Sequence, residues 1–153
     1  MPLFYRIVQE NWAATALDGE GARLYGGRWN SPGVAAVYLA ESRALAALEI
    51  LVHAPREALL LKWLVIELEV PDSWIDRVPT AKLPVKWRLQ PSSRQAQIFG
   101  TRWLRDFQNL CLLLPSVVIP EENSLLLNPL DPHMRDLKPG KAKPFSFDSR
   151  LAV

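Results

Sequence analysis

Glu49 is a single carboxylate in an otherwise apolar segment, and its position suggests chemistry. It is the only charged side chain between Arg43 and Arg56. Apolar residues lie in nearly every direction around the helix expected here, which predicts that this helix is buried on most faces. A buried carboxylate must be neutralised, hydrogen-bonded or paired, because its desolvation is otherwise costly. Glu49 is therefore either a functional acid or, as the plainer alternative, half of a structural ion pair or the one exposed position of the helix.

Residues 26–33, with the sequence GGRWNSPG, form a second candidate. Two glycines before Arg28 allow the backbone to approach a ligand closely, and a guanidinium can hold two anionic oxygens at once. Trp29 would supply a rigid apolar wall, while Asn30 can satisfy local backbone groups. The alternative is a turn followed by a surface arginine and a core tryptophan.

Tyr38 and Ser116 are further candidates on strand-like segments. Tyr38 is either a core aromatic residue or a platform for a ligand, and its hydroxyl needs a partner if it is buried. Ser116 follows Pro115, which interrupts an apolar run, so that the serine faces a cavity or simply forms a turn. No Gly-x-Ser-x-Gly motif surrounds it and neither histidine has a partner motif, so a hydrolase triad is poorly supported.

The elements expected to position these residues are mainly strands. Strands are predicted at 3–8, 34–40, 62–70, 110–114, 117–119, 125–127 and 145–147. Helices are predicted from Ser42 to about residue 54, before Pro55, and from Ser92 or Ser93 to about residue 109. Turned chain is expected at 18–33, which holds five of the seven glycines, and irregular chain at 71–91, which holds four prolines. Strands outnumber helices without regular alternation, which predicts an α+β fold.

The composition limits the class of protein. The chain has 153 residues with 49% hydrophobic content, enough for one domain, and a net charge of +2, too small a surplus for non-specific nucleic-acid binding. One cysteine and two histidines argue against disulfides and against a His/Cys zinc site. The N-terminus does not resemble a signal peptide, and no apolar run is long enough to cross a membrane. A cytoplasmic protein is expected.

The candidates above belong to an ordered set of motifs: residues 21–23 (GAR), 26–33, 37–40 (VYLA), 46–49 (AALE), 115–123, 128–129 and 132–133. Together these motifs resemble those of the RES-domain family, which is named for an arginine, a glutamate and a serine. Arg28, Glu49 and Ser116 match these three residues. The resemblance covers about residues 3–148, and we expect a single RES domain over 1–153.

The resemblance implies a toxin of a bacterial type II toxin–antitoxin pair, with a mixed β-sheet core and flanking helices similar to those of ADP-ribosyltransferases. The implied activity is degradation of NAD⁺ by hydrolysis or phosphorolysis, or, as an alternative, ADP-ribosylation of a protein. NAD⁺ would be a substrate, with no other cofactor and no metal. The implied partner is an Xre-type antitoxin that combines a helix-turn-helix part with a segment covering the active site.

The resemblance also implies roles for the matched residues. Glu49 would stabilise positive charge developing at the ribose, and Arg28 would hold a phosphate and pair with Glu49. Tyr38 would contact the nicotinamide, and Ser116 would bind the ligand or orient Arg28. Further candidates for binding NAD⁺ are Arg6, Gly27, Trp29, Asn30 and Asn123.

A toxin directed at nucleic acid, or a regulator that binds it, is a weaker alternative. It is supported only by the basic residues near the C-terminus, Lys138, Lys141, Lys143 and Arg150. Residues 19–24 do not form a dinucleotide-binding Gly-x-Gly-x-x-Gly motif, because Leu24 occupies the third glycine position.

Overall fold

Seven strands form one mixed sheet in the computed structural model, which describes residues 1–153. The strands are β1 Leu3–Gln9, β2 Val37–Ala40, β3 Trp63–Glu69, β4 Ile75–Arg77, β5 Cys111–Pro115, β6 Asn123–Leu127 and β7 Lys143–Phe145. Their order in the sheet is β4-β5-β6-β2-β1-β3-β7, and only β4 and β5 pair in parallel. The predicted α+β fold with a mixed sheet and flanking helices is confirmed.

Three α-helices accompany the sheet, joined by short 3-10 turns. They are α1 Glu20–Tyr25, α2 Arg43–Leu51 and α3 Arg94–Arg105. The hydroxyl of Ser42 accepts a hydrogen bond from the backbone N–H of Leu45 at 3.0 Å, and Ser93 caps α3 in the same way at 3.1 Å from Ala96. Both predicted helix starts are therefore confirmed, because a serine at each position satisfies a free N–H. None of the helices is long and apolar enough to span a membrane.

Helices α2 and α3 pack on the same face of the sheet. Tyr38 of β2 lies opposite Leu126 of β6, and Ala40 lies two residues further along the same face of β2. Leu126 packs in the cluster built on α3, whereas Ala40 packs with Leu45 in the cluster built on α2. Tyr38 is therefore placed between the two helices, where the site is found.

Several sequence-based expectations are wrong in detail. Residues 117–119 form no strand, because the hydroxyl of Ser116 accepts hydrogen bonds from the N–H groups of Val118 and Ile119 and turns the chain. The segment 71–91 is not wholly irregular, since β4 pairs within it, and the turned segment 18–33 contains α1. Helix α2 is not buried on most faces: Leu48 is 37% exposed.

Gly100 of α3 packs directly against the backbone of Trp29. A Cβ atom at this position would lie 1.9 Å from the carbonyl oxygen of Trp29, a distance that only movement of backbone can relieve. We expect Gly100→Ala to lower the free energy of unfolding by about 2–3 kcal/mol, since overpacking outweighs the gain of about 1 kcal/mol in helix propensity. Denaturant unfolding measures the effect.

Gly21→Ala is the matched control, because Gly21 also lies in a helix and an added Cβ there meets nothing within 4 Å. It is expected to leave the protein as stable as before or slightly more stable. Equal stability of both variants would contradict the close packing of α3 on Trp29.

Candidate active site

A cavity of about 830 Å³ lies against Tyr38, between α2 and the turn that carries Arg28. Glu49 is the only carboxylate among its lining residues, and Arg6 and Arg28 are the only guanidinium groups. His53 also lines it. The two guanidinium groups and the one carboxylate give the cavity a net positive charge, which favours an anionic ligand. The carboxylate also favours a cationic or electron-poor centre in that ligand.

Glu49 is held in place by Ser116. The hydroxyl of Ser116, which is 1% exposed, donates to Oε1 of Glu49 at 2.8 Å. Oγ of Ser116 in turn accepts hydrogen bonds from the N–H groups of Val118 at 3.1 Å and Ile119 at 3.2 Å, so the direction of its O–H is fixed. Ser116 therefore orients the acid, and not Arg28 or the ligand as the family resemblance implied.

Arg28 is positioned by the loop between β4 and α3. Its Nη1 donates to the carbonyl oxygens of Trp87 at 3.0 Å and Leu89 at 2.8 Å, and the indole of Trp87 stacks on that of Trp29 with centroids 6.3 Å apart. The expected ion pair with Glu49 does not form. Burial lowers the pKa of Arg28, and the nearby charge of Glu49 opposes that shift. The two groups are thus close enough to interact, but each is held by other partners.

The hydroxyl of Tyr38 is hydrogen-bonded to the turn that carries Arg28. It donates to Oδ1 of Asn30 at 2.5 Å and accepts from the N–H of Trp29 at 3.1 Å. Burial raises the pKa of Tyr38, so the phenol stays protonated and remains a donor. A Cβ on Gly27 would lie 2.7 Å from this hydroxyl, which explains why glycine is needed there.

Arg6 enters the cavity where β1 and β2 separate. These strands pair only at Tyr5 and Ala40, so the carbonyl of Tyr38 has no strand partner on that side. Nη1 of Arg6 donates to this carbonyl at 3.0 Å, and its Nε donates to the carbonyl of Ala16 at 2.7 Å. Burial lowers the pKa of Arg6, and the charge of Asp18 opposes the shift. Arg6 thus bridges the gap between β1 and β2 and also adds positive charge to the cavity.

Six of the nine site residues proposed from the sequence line one cavity: Arg6, Gly27, Arg28, Trp29, Tyr38 and Glu49. The other three, Asn30, Ser116 and Asn123, lie behind it. Asn30 is fully buried and donates to the carbonyls of Ala22 and Val34, while Asn123 donates through its side chain to Glu41. These residues support the walls of the cavity and do not line it.

Other residues that line the cavity were not predicted from the sequence, among them Tyr25, His53, Gln90 and Ser92. His53 had a recognisable signal, because it follows Glu49 by four residues and residues at that spacing share a helical face. Gln90 gave no signal, since it lies in the proline-rich segment 71–91 that was expected to be irregular chain, and Ser92 was considered only as a possible start of the following helix.

The family model described as "RES domain" matches residues 3–148. This α+β chain therefore belongs to the RES-domain family. Its curated relatives are named as toxins. The chain is 40% identical to the "Prs ADP-ribosylating toxin" of Sphingobium sp. (strain YBL2), with 97% of this chain and 95% of the relative covered. It is also 40% identical to "Toxin Res" of Yersinia enterocolitica, over 97% of this chain and 99% of the relative.

The fold is similar to a solved structure of a toxin–antitoxin complex, that of MbcT and MbcA from M. tuberculosis. The TM-score is 0.76 at 20% identity, and the match covers 99% of this chain and 86% of the other. At this level of identity the likeness concerns the fold alone.

Proposed function

We propose that this chain is the toxin of a toxin–antitoxin pair and that it breaks the nicotinamide–ribose bond of NAD⁺. The observation that carries the proposal is the meeting of Arg28, Tyr38 and Glu49 in one cavity, with Glu49 fixed by Ser116. NAD⁺ combines an anionic pyrophosphate with a cationic nicotinamide, and it suits a cavity with two guanidinium groups and one acid. A volume of about 830 Å³ is in the range of small-molecule sites.

Glu49 stabilises the sugar as the bond breaks. Nicotinamide leaves with the bonding electron pair on its ring nitrogen, and positive charge then develops at the ribose carbon and ring oxygen. A carboxylate held in place beforehand stabilises that charge without reorganising. Water then forms the new C–O bond and loses a proton to give ADP-ribose; phosphate would give the phosphorylated sugar instead. Nicotinamide departs neutral, so the reaction needs no general acid.

Arg28 binds the phosphate oxygens of the substrate. Its Nη1 is occupied by the two loop carbonyls, so Nε and Nη2 remain to donate a paired contact to the pyrophosphate. Arg6 supplies the second positive charge. The hydroxyl of Tyr38 is already engaged, so its ring is the part offered to the nicotinamide, beside the wall formed by Trp29.

Transfer of ADP-ribose to a protein is the second candidate function. It is favoured by the name of the relative from Sphingobium, "Prs ADP-ribosylating toxin". The same cavity serves both reactions, which differ only in the nucleophile that reaches the ribose. The likeness to a toxin in complex with its antitoxin supports an antitoxin partner, and by the family resemblance we propose an Xre-type antitoxin with a helix-turn-helix part.

The test is to follow the fate of NAD⁺ by chromatography that resolves its products. The purified chain is incubated with NAD⁺ alone, with added phosphate, and with added cell proteins. Release of nicotinamide from NAD⁺ alone supports the proposal, and the second product identifies water or phosphate as the acceptor. Release that occurs only with added protein supports the transferase. Intact NAD⁺ together with RNA cleavage in expressing cells would contradict both.

Ser116→Ala removes the hydrogen bond that orients Glu49. We expect kcat to fall about tenfold with little change in KM, because the acid stays in the cavity but loses its preferred direction. We also expect a loss of about 2 kcal/mol in the free energy of unfolding, since two backbone N–H groups lose their acceptor. Ser73→Ala, at an exposed serine away from the cavity, should change neither value. Unchanged kcat in Ser116→Ala would show that the serine has only a structural role.

A further inference from the structure

The positive charge of this protein is concentrated in one stretch of chain. Residues 77–105 contain seven Lys and Arg residues and no Asp or Glu. The whole chain has 18 basic and 16 acidic residues, so the rest of it is left with more acids than bases. The near-neutral total conceals this segregation, and composition alone could not reveal it.

Six of these seven cations are exposed and have no carboxylate partner. They are Lys82, Lys86, Arg88, Arg94, Arg102 and Arg105. Only Arg77 forms an ion pair, with Asp72 at 3.4 Å. On α3, the spacing of Arg94, Arg102 and Arg105 places all three on one face of the helix. We call these six residues the basic surface.

The basic surface begins at the mouth of the cavity. Gln90 and Ser92, which line the cavity, lie between Arg88 and Arg94 in the chain. Nε of Arg88 donates at 3.1 Å to the carbonyl of Val117, another lining residue. From this edge the exposed arginines follow α3 from its first to its last residue, which is 12 residues and about 16 Å along the helix axis.

Exposed aliphatic side chains lie among these cations. Val85 is 96% exposed, Leu89 49% and Ile98 46%. The aromatic residues of the same stretch, Trp87, Phe99 and Trp103, instead pack with the core. Surfaces that bind single-stranded nucleic acid usually offer exposed aromatic rings on which bases stack. Aliphatic groups among cations fit a protein segment in which acidic and apolar side chains are mixed.

We propose that the basic surface is a docking site for an acidic segment of a partner protein, which it holds beside the mouth of the cavity. The cations supply charge complementarity and speed the encounter, and Val85, Leu89 and Ile98 supply apolar contact. The proposal concerns binding only and does not depend on which reaction the cavity catalyses.

The test uses a fluorescein-labelled peptide of glutamates interspersed with leucines, with its glutamine analogue as reference. Binding to the full chain is followed by fluorescence anisotropy at increasing salt. We expect binding of the acidic peptide that weakens with salt, and loss of about tenfold in affinity in the triple variant Arg94→Gln/Arg102→Gln/Arg105→Gln. A second variant, Lys82→Gln/Lys86→Gln, measures the contribution of the loop cations to the affinity and leaves α3 unchanged.

The matched control removes three exposed cations elsewhere: Arg135→Gln/Lys138→Gln/Lys141→Gln. It changes the net charge equally and should alter the affinity less than twofold, with thermal unfolding recorded for every variant. Equal losses in the control and in the α3 variant would overturn the proposal, as would the absence of binding. Tighter binding of a single-stranded oligonucleotide, or of vesicles containing phosphatidylserine, at the same salt would assign the surface to those ligands and overturn it as well.

Discussion

Glu49→Gln is expected to reduce the rate of nicotinamide release by about 10²- to 10³-fold, the scale of losing one preorganised electrostatic group. Glutamine keeps the size of the side chain and can still accept the hydrogen bond from Ser116, so the fold should persist. What is lost is the negative charge facing the sugar when the bond to nicotinamide breaks. Single-turnover assays with saturating NAD⁺ measure this step directly.

The control for Glu49 is Glu57→Gln, which removes an equal charge from an exposed position beyond the end of α2. It should leave the rate unchanged. A normal rate of nicotinamide release in Glu49→Gln would refute the role assigned to the acid. Loss of activity in both Glu49→Gln and Glu57→Gln would instead indicate that the rate responds to the net charge of the protein and not to the position of the acid.

Arg28→Lys is expected to lower kcat/KM for NAD⁺ by about 10²-fold, mainly through a higher KM. Lysine keeps the positive charge but cannot donate to two loop carbonyls and two phosphate oxygens from one planar group. Steady-state kinetics separate KM from kcat, and binding of ADP-ribose, measured by calorimetry, should weaken in parallel.

Arg23→Lys is the control for Arg28, because Arg23 lies nearby in the chain but pairs with Glu20 on the surface. We expect it to behave as the unchanged protein. Should Arg28→Lys bind ADP-ribose as tightly as the parent, the guanidinium would not be the phosphate ligand.

The parts of this protein that could be predicted from the sequence are those determined by neighbouring residues. Ser42 and Ser93 begin their helices because a hydroxyl caps free N–H groups within the next turn. The partial alternation of apolar and charged residues in β3 likewise predicts a strand from neighbouring residues alone. In the site, Glu49 and Arg28 could be proposed as candidates because a lone acid and a Gly-Gly-Arg turn are unusual, but a structural ion pair and a surface arginine stayed open as alternatives until the family resemblance favoured functional roles.

The parts that could not be predicted depend on backbone groups distant in the chain. The backbone carbonyls of Trp87 and Leu89 hold Arg28, and backbone carbonyls cannot be recognised as partners from the side chains at these positions. Residues 117–119 do not form the expected strand because the hydroxyl of Ser116 accepts two backbone N–H groups there and donates to Glu49. The hydrophobicity of the segment predicts a strand and gives no information about these hydrogen bonds. The concentration of cations in 77–105 was present in the sequence, but the net charge concealed it.

The contact of Gly100 with Trp29 links the arginine turn to a helix that follows it by seventy positions. Gln97 donates to the carbonyl of Gly27 at 3.1 Å, and the hydroxyl of Thr101 accepts the N–H of Ser31 at 2.9 Å. With a glycine between these two anchors, turn and helix are fused into one rigid body. Inherited changes in the turn must therefore be matched by changes in α3, so these two segments of the chain are constrained to evolve as a pair.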